Sequence, residues 1–396
     1  MQNKIEKIAI VGGCGHVGLP LGIALAHRNF KVTLVDINEQ AVESVNDGVL
    51  PFHEDEGEKF LKEALASKSL IATTQPDALK DAHCVIFVTG TPVDEHSNPR
   101  VSDVEKVIMH YMKYLNNKLV ILRSTVYPGV CEIIDRLLVR NHGHSRLAFC
   151  PERIVQGNGI KEIFTLPQIV AATTRGAEED AGYIFSKVAP KILHMRPIEA
   201  ELAKLMTNSW RYLEFAIANQ FYTMVESRGI DFWRVFQGVK EDYPRAKHFP
   251  KPGLAAGPCL FKDTMQLASF HDNNFYLGHI GMLINEGLPN FLVQRMEKEL
   301  GSLKDKKIGI LGMAFKPNND DTRESLSFKI KKLLEIRSAH PLMTDPYVPG
   351  HLSLRDVLDQ ADGVIMGVPH REYLNLKFKQ PLIDCWGTYE KPDLAA

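Results

Sequence analysis

Hydrophobic residues in the first half of the chain fall into short continuous runs, separated by longer polar or amphipathic segments. The runs that predict strands cover residues 8–11, 31–35, 70–73, 84–88, 119–122, 147–149 and 192–193. Continuous apolar runs of this length are typical of parallel strands that are covered on both faces. Their alternation with helical segments predicts an α/β domain with a doubly wound parallel sheet.

The pattern changes at Pro197, where an amphipathic helix begins that runs without interruption to residue 227. A helix of this length is typical of a spacer between domains or of a dimer seam. Further helical segments are predicted near 231–239, 263–271 and 276–300.

Strand patterns return after Lys306, with apolar runs at 308–311, 342–344 and 363–366. Asp345 ends the second of these runs, as Asp36 ends the second run of the chain. We therefore predict two Rossmann-like doubly wound parallel-sheet domains, residues 1–196 and 301–396, which are joined by a long helix and a helical domain over residues 197–300.

A glycine-rich loop joins the first predicted strand to the first helix. It reads Gly13-Cys14-Gly15-His16-Val17-Gly18, and Asp36 follows at the end of the next strand. The glycines let the backbone approach a pyrophosphate at the helix N-terminus, and the acid can accept hydrogen bonds from an adenosine ribose. Because an acid at this position would repel a 2′-phosphate, the spacing predicts NAD rather than NADP.

Polar residues follow three other strands, where the carboxyl ends of a doubly wound sheet form the ligand crevice. Thr91, Thr125 and Glu152 stand at these ends, beside glycines and prolines that turn formation alone would explain. Lys204 and Asn208 are four residues apart and so share one face of the long helix. The alternative for this pair is an exposed, solvated face.

Cys259 stands between a loop of small and turn-forming residues and a predicted helix. Free backbone N–H groups and the nearby Lys262 would stabilise a thiolate there, and Asp263 would share its helical face. A buried, inert thiol is the alternative. We predict structural roles for the remaining cysteines, at positions 14, 84, 131, 150 and 385.

The charges and cysteine spacing exclude several classes of function. Lys+Arg 47 against Asp+Glu 48 gives a net charge of -1, which provides no basic field for nucleic acid or an anionic membrane. No apolar run approaches the length of a membrane span, and we expect no signal peptide because the first residues lead directly into the first predicted strand. Because the cysteines lack metal-ligand and CxxC spacing, we predict reduced thiols, no metal site and a cytoplasmic protein.

The segment from Gly312 to Ser325 replaces a full glycine motif in the second Rossmann-like domain. It carries two cations, Lys316 and Arg323, just ahead of a helix. Such a loop could hold a second phosphate-bearing ligand.

Together, these motifs resemble the UDP-glucose/GDP-mannose dehydrogenases, which oxidise a nucleotide sugar at C6 to the uronic acid. The resemblance spans nearly the whole chain in the same motif order. It implies an N-terminal NAD domain, a helical dimerisation core, a C-terminal nucleotide-sugar domain and a homodimer. It further implies a four-electron oxidation that reduces two NAD in turn, with Cys259 as the nucleophile.

The resemblance also implies a role for each candidate residue. Lys204 and Asn208 would stabilise oxyanions on the C6 oxygen, and Glu152, Thr125 and Asp263 would order or deprotonate a water. Lys262 and Arg323 would lie on the cofactor side, and Thr91 and Thr125 would also contact the cofactor. Contacts with the nucleotide sugar would come from Lys316, Gly257, the segment from Phe149 to Glu152, and Arg245 of the partner subunit.

Two features bear on the identity of the sugar. The family's loop before the cysteine usually reads Gly-x-Gly-Gly-x-Cys, whereas Ala255-Ala256-Gly257-Pro258 precedes Cys259 here. The added Cβ atoms and the proline would reshape the sugar pocket. Pro151-Glu152-Arg153 and residues 166–170 are similar to the branch that oxidises N-acetylhexosamines.

Two other functions are compatible with parts of the pattern. A two-electron dehydrogenase of the 6-phosphogluconate or β-hydroxyacid type shares the N-terminal fold, the long helix and the lysine–asparagine pair. It uses neither a cysteine nucleophile nor a second Rossmann-like domain. A non-catalytic NAD-binding paralogue would not need Cys259, Lys204, Asn208 and Glu152 together.

Overall fold

The computed structural model describes residues 5–90, 94 and 100–389 of the 396-residue chain. The chain separates into two compact units, residues 1–207 and 208–396. The division falls inside helix α8, Pro197–Glu226.

The first unit is built on an eight-stranded sheet with strand order β3-β2-β1-β4-β5-β6-β7-β8. The strands are β1 Lys7–Val11, β2 Lys31–Val35, β3 Leu70–Thr73, β4 Cys84–Phe87, β5 Leu119–Leu122, β6 Leu147–Phe149, β7 Gln168–Ala172 and β8 Ile192–Met195. All the strands predicted in this half are present, which confirms the doubly wound α/β fold. β7 was not predicted.

The prediction of an entirely parallel sheet is wrong at one pair, because β6 and β7 are antiparallel. The segment between them carries helix α6, Gly159–Thr165, whose Gly159 lies beside Pro20 in the first turn of the helix that follows β1. The chain therefore stays at the carboxyl edge of the sheet and enters β7 from the edge at which β6 ended.

Helices cover both faces of this sheet. They are α1 Gly18–His27, α2 Glu39–Asn46, α3 Gly57–Ala66, α4 Val101–Tyr111, α5 Val130–His142, α6 and α7 Arg175–Ser186. Alternate residues of β1 belong to two separate cores, with Ile8 and Ile10 on one face and Ala9 and Val11 on the other. This division is the physical reason for the continuous apolar runs, since both faces of each strand are buried.

The second unit combines helices with a four-stranded parallel sheet of order β10-β9-β11-β12. Its strands are β9 Lys307–Leu311, β10 His340–Thr344, β11 Gly363–Met366 and β12 Leu382–Ile383. Its helices after α8 are α9 Phe232–Lys240, α10 Leu260–Phe270, α11 Tyr276–Leu300, α12 Ser327–Ile336 and α13 Leu354–Gln360. The predicted second Rossmann-like sheet is confirmed. Within the described ranges, none of the helices has the length and apolarity to cross a membrane.

Candidate functional site

The loop between β1 and α1 is shaped to admit a ligand against its backbone. A Cβ atom at Gly13 would lie 2.7 Å from Leu34 Cβ, and one at Gly18 would lie 2.6 Å from the carbonyl oxygen of Gly12. These two positions therefore exclude any side chain. Gly15 is exposed, and the nearest atom to a Cβ there would be 3.8 Å away, so the space in front of the loop is open.

The first turn of α1 suits an anion. Val17 precedes this helix, and its N-terminus has no side-chain cap within the described part of the chain. The N–H groups of a first helical turn lack intrahelical acceptors and carry the positive end of the helix dipole. Phosphate oxygens in front of Gly15 would accept these hydrogen bonds.

Asp36 is held beside this loop by two backbone donors. Its Oδ2 accepts a hydrogen bond from the N–H of Cys14 at 3.0 Å, and its Oδ1 accepts one from the N–H of Asn38 at 3.1 Å. The carboxylate is thus fixed at the carboxyl end of β2, from which an acid reaches an adenosine ribose. Burial, and then the charge of Asp36, raise the pKa of the Cys14 thiol to about 12, so this cysteine is inert.

The glycine loop, the uncapped helix and Asp36 together fit NAD, which they would hold by its pyrophosphate and its adenosine ribose. The His16 ring lies 4.1 Å from the Phe52 ring, so the segment after α2 covers one side of the loop. Thr91, another predicted cofactor contact, lies outside the described residues.

Glu152 follows β6 and is held by three donors. Its Oε1 accepts hydrogen bonds from the N–H groups of Arg153 at 2.6 Å and Ile154 at 2.9 Å, and its Oε2 accepts one from the guanidinium of Arg123. Arg123 directly follows β5 and is 1% exposed. It also donates to Gln168 Oε1 at 3.0 Å. Glu152 is therefore a fixed carboxylate at the carboxyl edge of the sheet.

Two more candidates at this edge have different environments. The Phe149 side chain is buried in the core, so a ligand there could contact only its backbone. Thr125 is half-buried in the loop after β5. That loop is tied to α8 by Glu201, which accepts hydrogen bonds from the N–H groups of Gly129 at 2.7 Å and Cys131 at 2.8 Å.

Lys204 and Asn208 lie on one face of α8 and are both buried, so the alternative of a solvated face is wrong. Asn208 Nδ2 donates to Asp263 Oδ2 at 2.6 Å. Lys262 Nζ lies 3.4 Å from the other carboxylate oxygen of Asp263. Because Asp263 is completely buried and bonded to the amide nitrogen, it fixes the direction in which the Asn208 amide faces.

Cys259 is exposed, whereas the five other cysteines of the chain are buried. It immediately precedes α10, which begins at Leu260, three residues earlier than predicted. The N–H of Asp263 donates to the carbonyl oxygen of Cys259 at 2.9 Å, so the two residues share a helical face as expected. Burial raises the pKa of each of the other thiols not yet described, namely Cys84, Cys131, Cys150 and Cys385.

Gly257 connects the cysteine loop to the segment after β9. Its φ of +96° is rare for residues with a side chain, and a Cβ there would lie 2.6 Å from the Phe315 ring. Its N–H donates to the carbonyl oxygen of Glu324 at 3.3 Å. The shape of the loop before Cys259 is therefore set by contact with the segment that carries Lys316 and Arg323.

Arg323 is oriented by Asp321, whose two carboxylate oxygens each lie 3.0 Å from Arg323 Nε. Asp321 first, and Cys259 to a smaller degree, raise the pKa of the Arg323 guanidinium. Because this attraction acts on both groups, the Arg323 cation would in turn stabilise a thiolate at Cys259.

The two alanines that depart from the family's loop pack into the interior. Ala255 lies in a small core with Tyr212 and Leu260, and Ala256 packs against the main core of the second unit. The loop is also held by Asn219, whose Oδ1 accepts from the N–H of Gly253 at 2.9 Å while its Nδ2 donates to the carbonyl oxygen of Gly253 at 3.0 Å.

Arg245 lies on the surface of the second unit, in a short 3₁₀ turn, Pro244–Ala246. Its Nε donates to the hydroxyl oxygen of Tyr243 at 2.8 Å, and both side chains are exposed.

Sequence reasoning missed the residues that hold the candidates in place, namely Arg123, Gln168, Glu201 and Asn219. Each is a polar side chain within or beside a strongly apolar segment, and each is buried. A buried polar group needs a partner, so an isolated arginine or asparagine inside such a run was the available signal.

Three models of the UDP-glucose/GDP-mannose dehydrogenase family match consecutive parts of the chain. The NAD binding domain matches residues 6–188, the central domain residues 198–281 and the UDP binding domain residues 309–391. Together they cover most of the chain.

Known proteins resemble this chain over nearly its full length. The UDP-N-acetyl-D-mannosamine dehydrogenase of Pyrococcus horikoshii is 30% identical over 94% of this chain and 91% of the relative. The solved structure of the UDP-D-ManNAc dehydrogenase from Pyrococcus horikoshii superposes with a TM-score of 0.91 at 28% identity, covering 98% of this chain and 97% of that one. A UDP-glucose dehydrogenase from Pyrobaculum islandicum gives a TM-score of 0.89 at 26% identity, with coverage of 97% and 94%. The chain therefore belongs to the UDP-glucose/GDP-mannose dehydrogenase family, and it is an NAD-dependent nucleotide-sugar dehydrogenase.

Proposed function

We propose that the protein oxidises a UDP-N-acetylhexosamine at C6 to the uronic acid, through covalent intermediates on Cys259. The observation that carries this proposal is the contrast among the cysteines. Five are buried, and Cys259 alone is exposed, at the start of α10 and within range of the Arg323 cation. That setting favours a nucleophilic thiolate.

NAD supplies the hydride acceptor for each of the two oxidations. The Cys259 thiolate attacks the C6 aldehyde, which is the product of the first oxidation, and forms a thiohemiacetal. Loss of hydride from this adduct leaves a thioester, and water then releases the acid and the thiolate.

The remaining candidates have roles in handling charge and water. Lys204 and Asn208 stabilise negative charge on the C6 oxygen. The bond from Asn208 to the buried Asp263 supports this assignment, because it holds the amide in one orientation. Asp263 therefore acts through Asn208. Glu152, a fixed hydrogen-bond acceptor, orients the hydrolytic water together with Thr125.

The assignment of the sugar rests on two observations. The Pyrococcus horikoshii relative is named for UDP-N-acetyl-D-mannosamine. The methyl groups of Ala255 and Ala256 pack inward, so the departure from the family's glycine loop is accommodated in the core and does not by itself argue against that sugar. UDP-N-acetyl-D-mannosamine is thus the substrate that we propose.

A substrate panel with a stoichiometric readout tests this function. UDP-glucose, UDP-galactose and the UDP-N-acetyl forms of glucosamine, galactosamine and mannosamine are each incubated with excess NAD. UDP-N-acetyl-D-mannosamine should yield two NADH for each sugar consumed. One NADH per sugar would favour the two-electron alternative. Cys259→Ser should abolish acid formation but retain NAD binding, and acid formation at the wild-type rate would exclude the covalent route.

Selective alkylation tests the thiol separately from turnover. Iodoacetamide should label one cysteine per native chain, and Cys259→Ser should remove that label, because the other thiols are buried. Labelling of Cys150 or Cys131 at a comparable rate would contradict the assignment.

We further propose that the protein is a homodimer in which Arg245 completes the partner's site. Large apolar side chains are exposed along two helices of the second unit, α8 and α11. They are Trp210, Ile217, Phe221 and Met224 on α8, and Tyr276, Leu277, Ile280 and Leu283 on α11. Apolar stripes of this extent are typical of interaction surfaces.

Mixing two inactive variants tests the shared site. A mixed dimer of Cys259→Ser and Arg245→Ala chains would contain one complete site, with an intact cysteine from one chain and an intact arginine from the other. Equal amounts should restore about a quarter of wild-type turnover, as expected for random pairing in a symmetric dimer. If mixing restored nothing although mixed dimers formed, Arg245 would act within its own chain or not at all.

A further inference from the structure

Arg123 is a buried cation whose two terminal nitrogens donate hydrogen bonds within the first unit. One terminal nitrogen donates to Glu152 Oε2, and the other donates to the carbonyl oxygen of Cys150 at 3.1 Å and to Gln168 Oε1 at 3.0 Å. The guanidinium also lies 5.1 Å from the centre of the Phe185 ring. With 1% of its surface exposed, Arg123 has no access to a ligand in solvent.

The arginine connects three strands of the first unit. It directly follows β5, Glu152 follows β6, and Gln168 begins the antiparallel β7. The backbone repeats the connection, since the N–H of Glu152 donates to the carbonyl oxygen of Arg123 at 3.2 Å. Gln168 Nε2 donates to the carbonyl oxygen of Pro151 at 3.2 Å, which closes the network around the Glu152 segment.

Stability alone does not account for this arrangement. A buried ion pair costs solvation energy that its attraction only partly offsets, and apolar replacements of similar volume are often neutral or stabilising. The network instead fixes one carboxylate oxygen by a guanidinium and the other by two backbone N–H groups. It is therefore a device for orientation.

We propose that Arg123 positions Glu152 for hydrolysis of the Cys259 thioester, an inference that rests on the proposed function. In this step the water oxygen bonds to the carbonyl carbon of the thioester, and the carbon–sulfur bond breaks. Sulfur leaves as the Cys259 thiolate, and the sugar leaves as a carboxylate. The two protons of the water pass to solvent, one of them along the hydrogen bond that Glu152 accepts.

This role makes a specific demand on the kinetics of variants. If Arg123 acts only through Glu152, its loss should slow hydrolysis of the thioester without weakening substrate binding. The covalent adduct on Cys259 should then accumulate during turnover. Arg123→Met removes the charge at similar length, Arg123→Lys keeps the charge without the planar fork, and Glu152→Gln removes the acceptor charge.

The experiment measures NADH formation from UDP-N-acetyl-D-mannosamine and the intact mass of protein quenched during turnover. Arg123→Met should lower kcat by about 100-fold, as misplaced catalytic groups do, while kcat/KM for the sugar stays nearly unchanged because hydrolysis follows formation of the adduct. Arg123→Lys should recover part of the loss. The double variant that combines Arg123→Met with Glu152→Gln should be no slower than Glu152→Gln alone. The covalent adduct should accumulate in Arg123→Met and in Glu152→Gln. It should be absent when either substitution is combined with Cys259→Ser.

Arg146→Met is the matched control. Arg146 pairs with Asp180 just before β6, at the opposite end of the strand that Glu152 follows, so its loss breaks an arginine–carboxylate pair in the same unit. It should leave kcat and adduct level unchanged. If Arg123→Met fails to fold by circular dichroism, Gln168→Leu removes one acceptor of the guanidinium and should give a smaller effect in the same direction.

The outcomes separate this inference from the proposed function. If the adduct accumulated in Glu152→Gln but not in Arg123→Met or Gln168→Leu, the role of Arg123 would be overturned while the proposed function would stand. That role would also be excluded if Arg123→Met slowed the Glu152→Gln enzyme as much as it slows the wild type. Absence of adduct from every variant, with acid still formed by Cys259→Ser, would overturn the covalent route itself.

Discussion

Asp36 and Asp345 occupy equivalent places in the two Rossmann-like sheets, each just after the second strand of its sheet. Each also accepts a hydrogen bond from the loop that follows the first strand. The donor is the N–H of Cys14 at 3.0 Å in the first unit and the N–H of Met313 at 2.6 Å in the second. The backbone framework is therefore the same.

The surroundings of the two acids differ. Asp345 accepts three further backbone bonds, and its Oδ2 lies 3.1 Å from Nε2 of the fully buried His370. The N–H of Asn318 donates to His370 Nδ1 at 3.0 Å, so the proton of this imidazole is on Nε2 and points at Asp345. Asp36 remains half-buried with two donors.

The difference shows how one fold holds two kinds of ligand. In the first unit the acid stays accessible for a ribose, and the glycine loop offers backbone N–H groups to phosphates. In the second unit Asp345 makes its hydrogen bonds within the protein. It thereby holds in place the loop that carries two cations, Lys316 and Arg323.

The largest effect that separates the two acids is expected in stability. Asp345→Ala would leave four N–H groups and the Nε2–H of His370 without an acceptor. It should cost about 3–5 kcal/mol, because these five donors lose their acceptor together. Asp36→Ala should cost about 1 kcal/mol or less, since solvent can replace it.

Urea unfolding followed by circular dichroism compares both variants with the wild type. Tryptophan fluorescence adds a local probe, because all three tryptophans, Trp210, Trp233 and Trp386, lie in the second unit. Equal losses in the two variants would mean that both acids brace their loops to the same degree.

The next effect concerns the affinity for NAD, which should depend more on Asp36 than on Asp345. Asp36→Asn should weaken NAD binding by about 10- to 100-fold, the value of a hydrogen bond to a charged group, and should narrow the preference for NAD over NADP. Calorimetric titration with both cofactors measures this. Unchanged affinity for NAD in Asp36→Asn would mean that Asp36 serves only the loop.

The strands could be predicted from the sequence better than the buried polar residues that hold the loops in place. Continuous apolar runs are unambiguous where both faces of a strand are buried, so β2, β3, β5 and β6 were located to the residue. β7 was missed because Gln168 and two alanines weaken its apolar signal, and because its direction depends on how α6 packs on α1. Such packing is decided in three dimensions.

The candidate functional residues show the same contrast between what the sequence predicts and what it does not. Motif spacing predicts Cys259, Lys204, Asn208 and Asp36 as candidates, because their chemistry requires particular residue types at particular distances along the chain. Arg123 and His370 form hydrogen bonds with partners 29 and 25 residues away, Glu152 and Asp345. No local pattern encodes such a pairing, and each residue read alone is an ordinary polar position.

A smaller effect follows from pH. Burial alone would raise the pKa of Asp345, but the hydrogen bond from His370 and those from the backbone donors outweigh it and lower the pKa. A lowered pKa in the folded state means that the carboxylate contributes stability above its unfolded pKa, near 4, and that this contribution disappears as the pH falls below that value. The stability difference between wild type and Asp345→Ala should therefore be constant at neutral pH and shrink in acid. A difference that grew in acid would reverse the sign of this coupling.

The smallest effect on stability is expected at Gly15, and it tests the first unit's way of holding phosphate. A Cβ there meets no atom closer than 3.8 Å, and Gly15 is absent from the positive-φ glycines, so Gly15→Ala should fold normally. It should still weaken NAD binding by about tenfold, or 1.4 kcal/mol, because the methyl group would occupy the space in which the pyrophosphate approaches the backbone.

Gly18→Ala is the contrasting variant, since its Cβ would lie 2.6 Å from the Gly12 carbonyl oxygen and should reduce stability as well as affinity. Unimpaired NAD binding by Gly15→Ala would show that the pyrophosphate does not pass over this glycine.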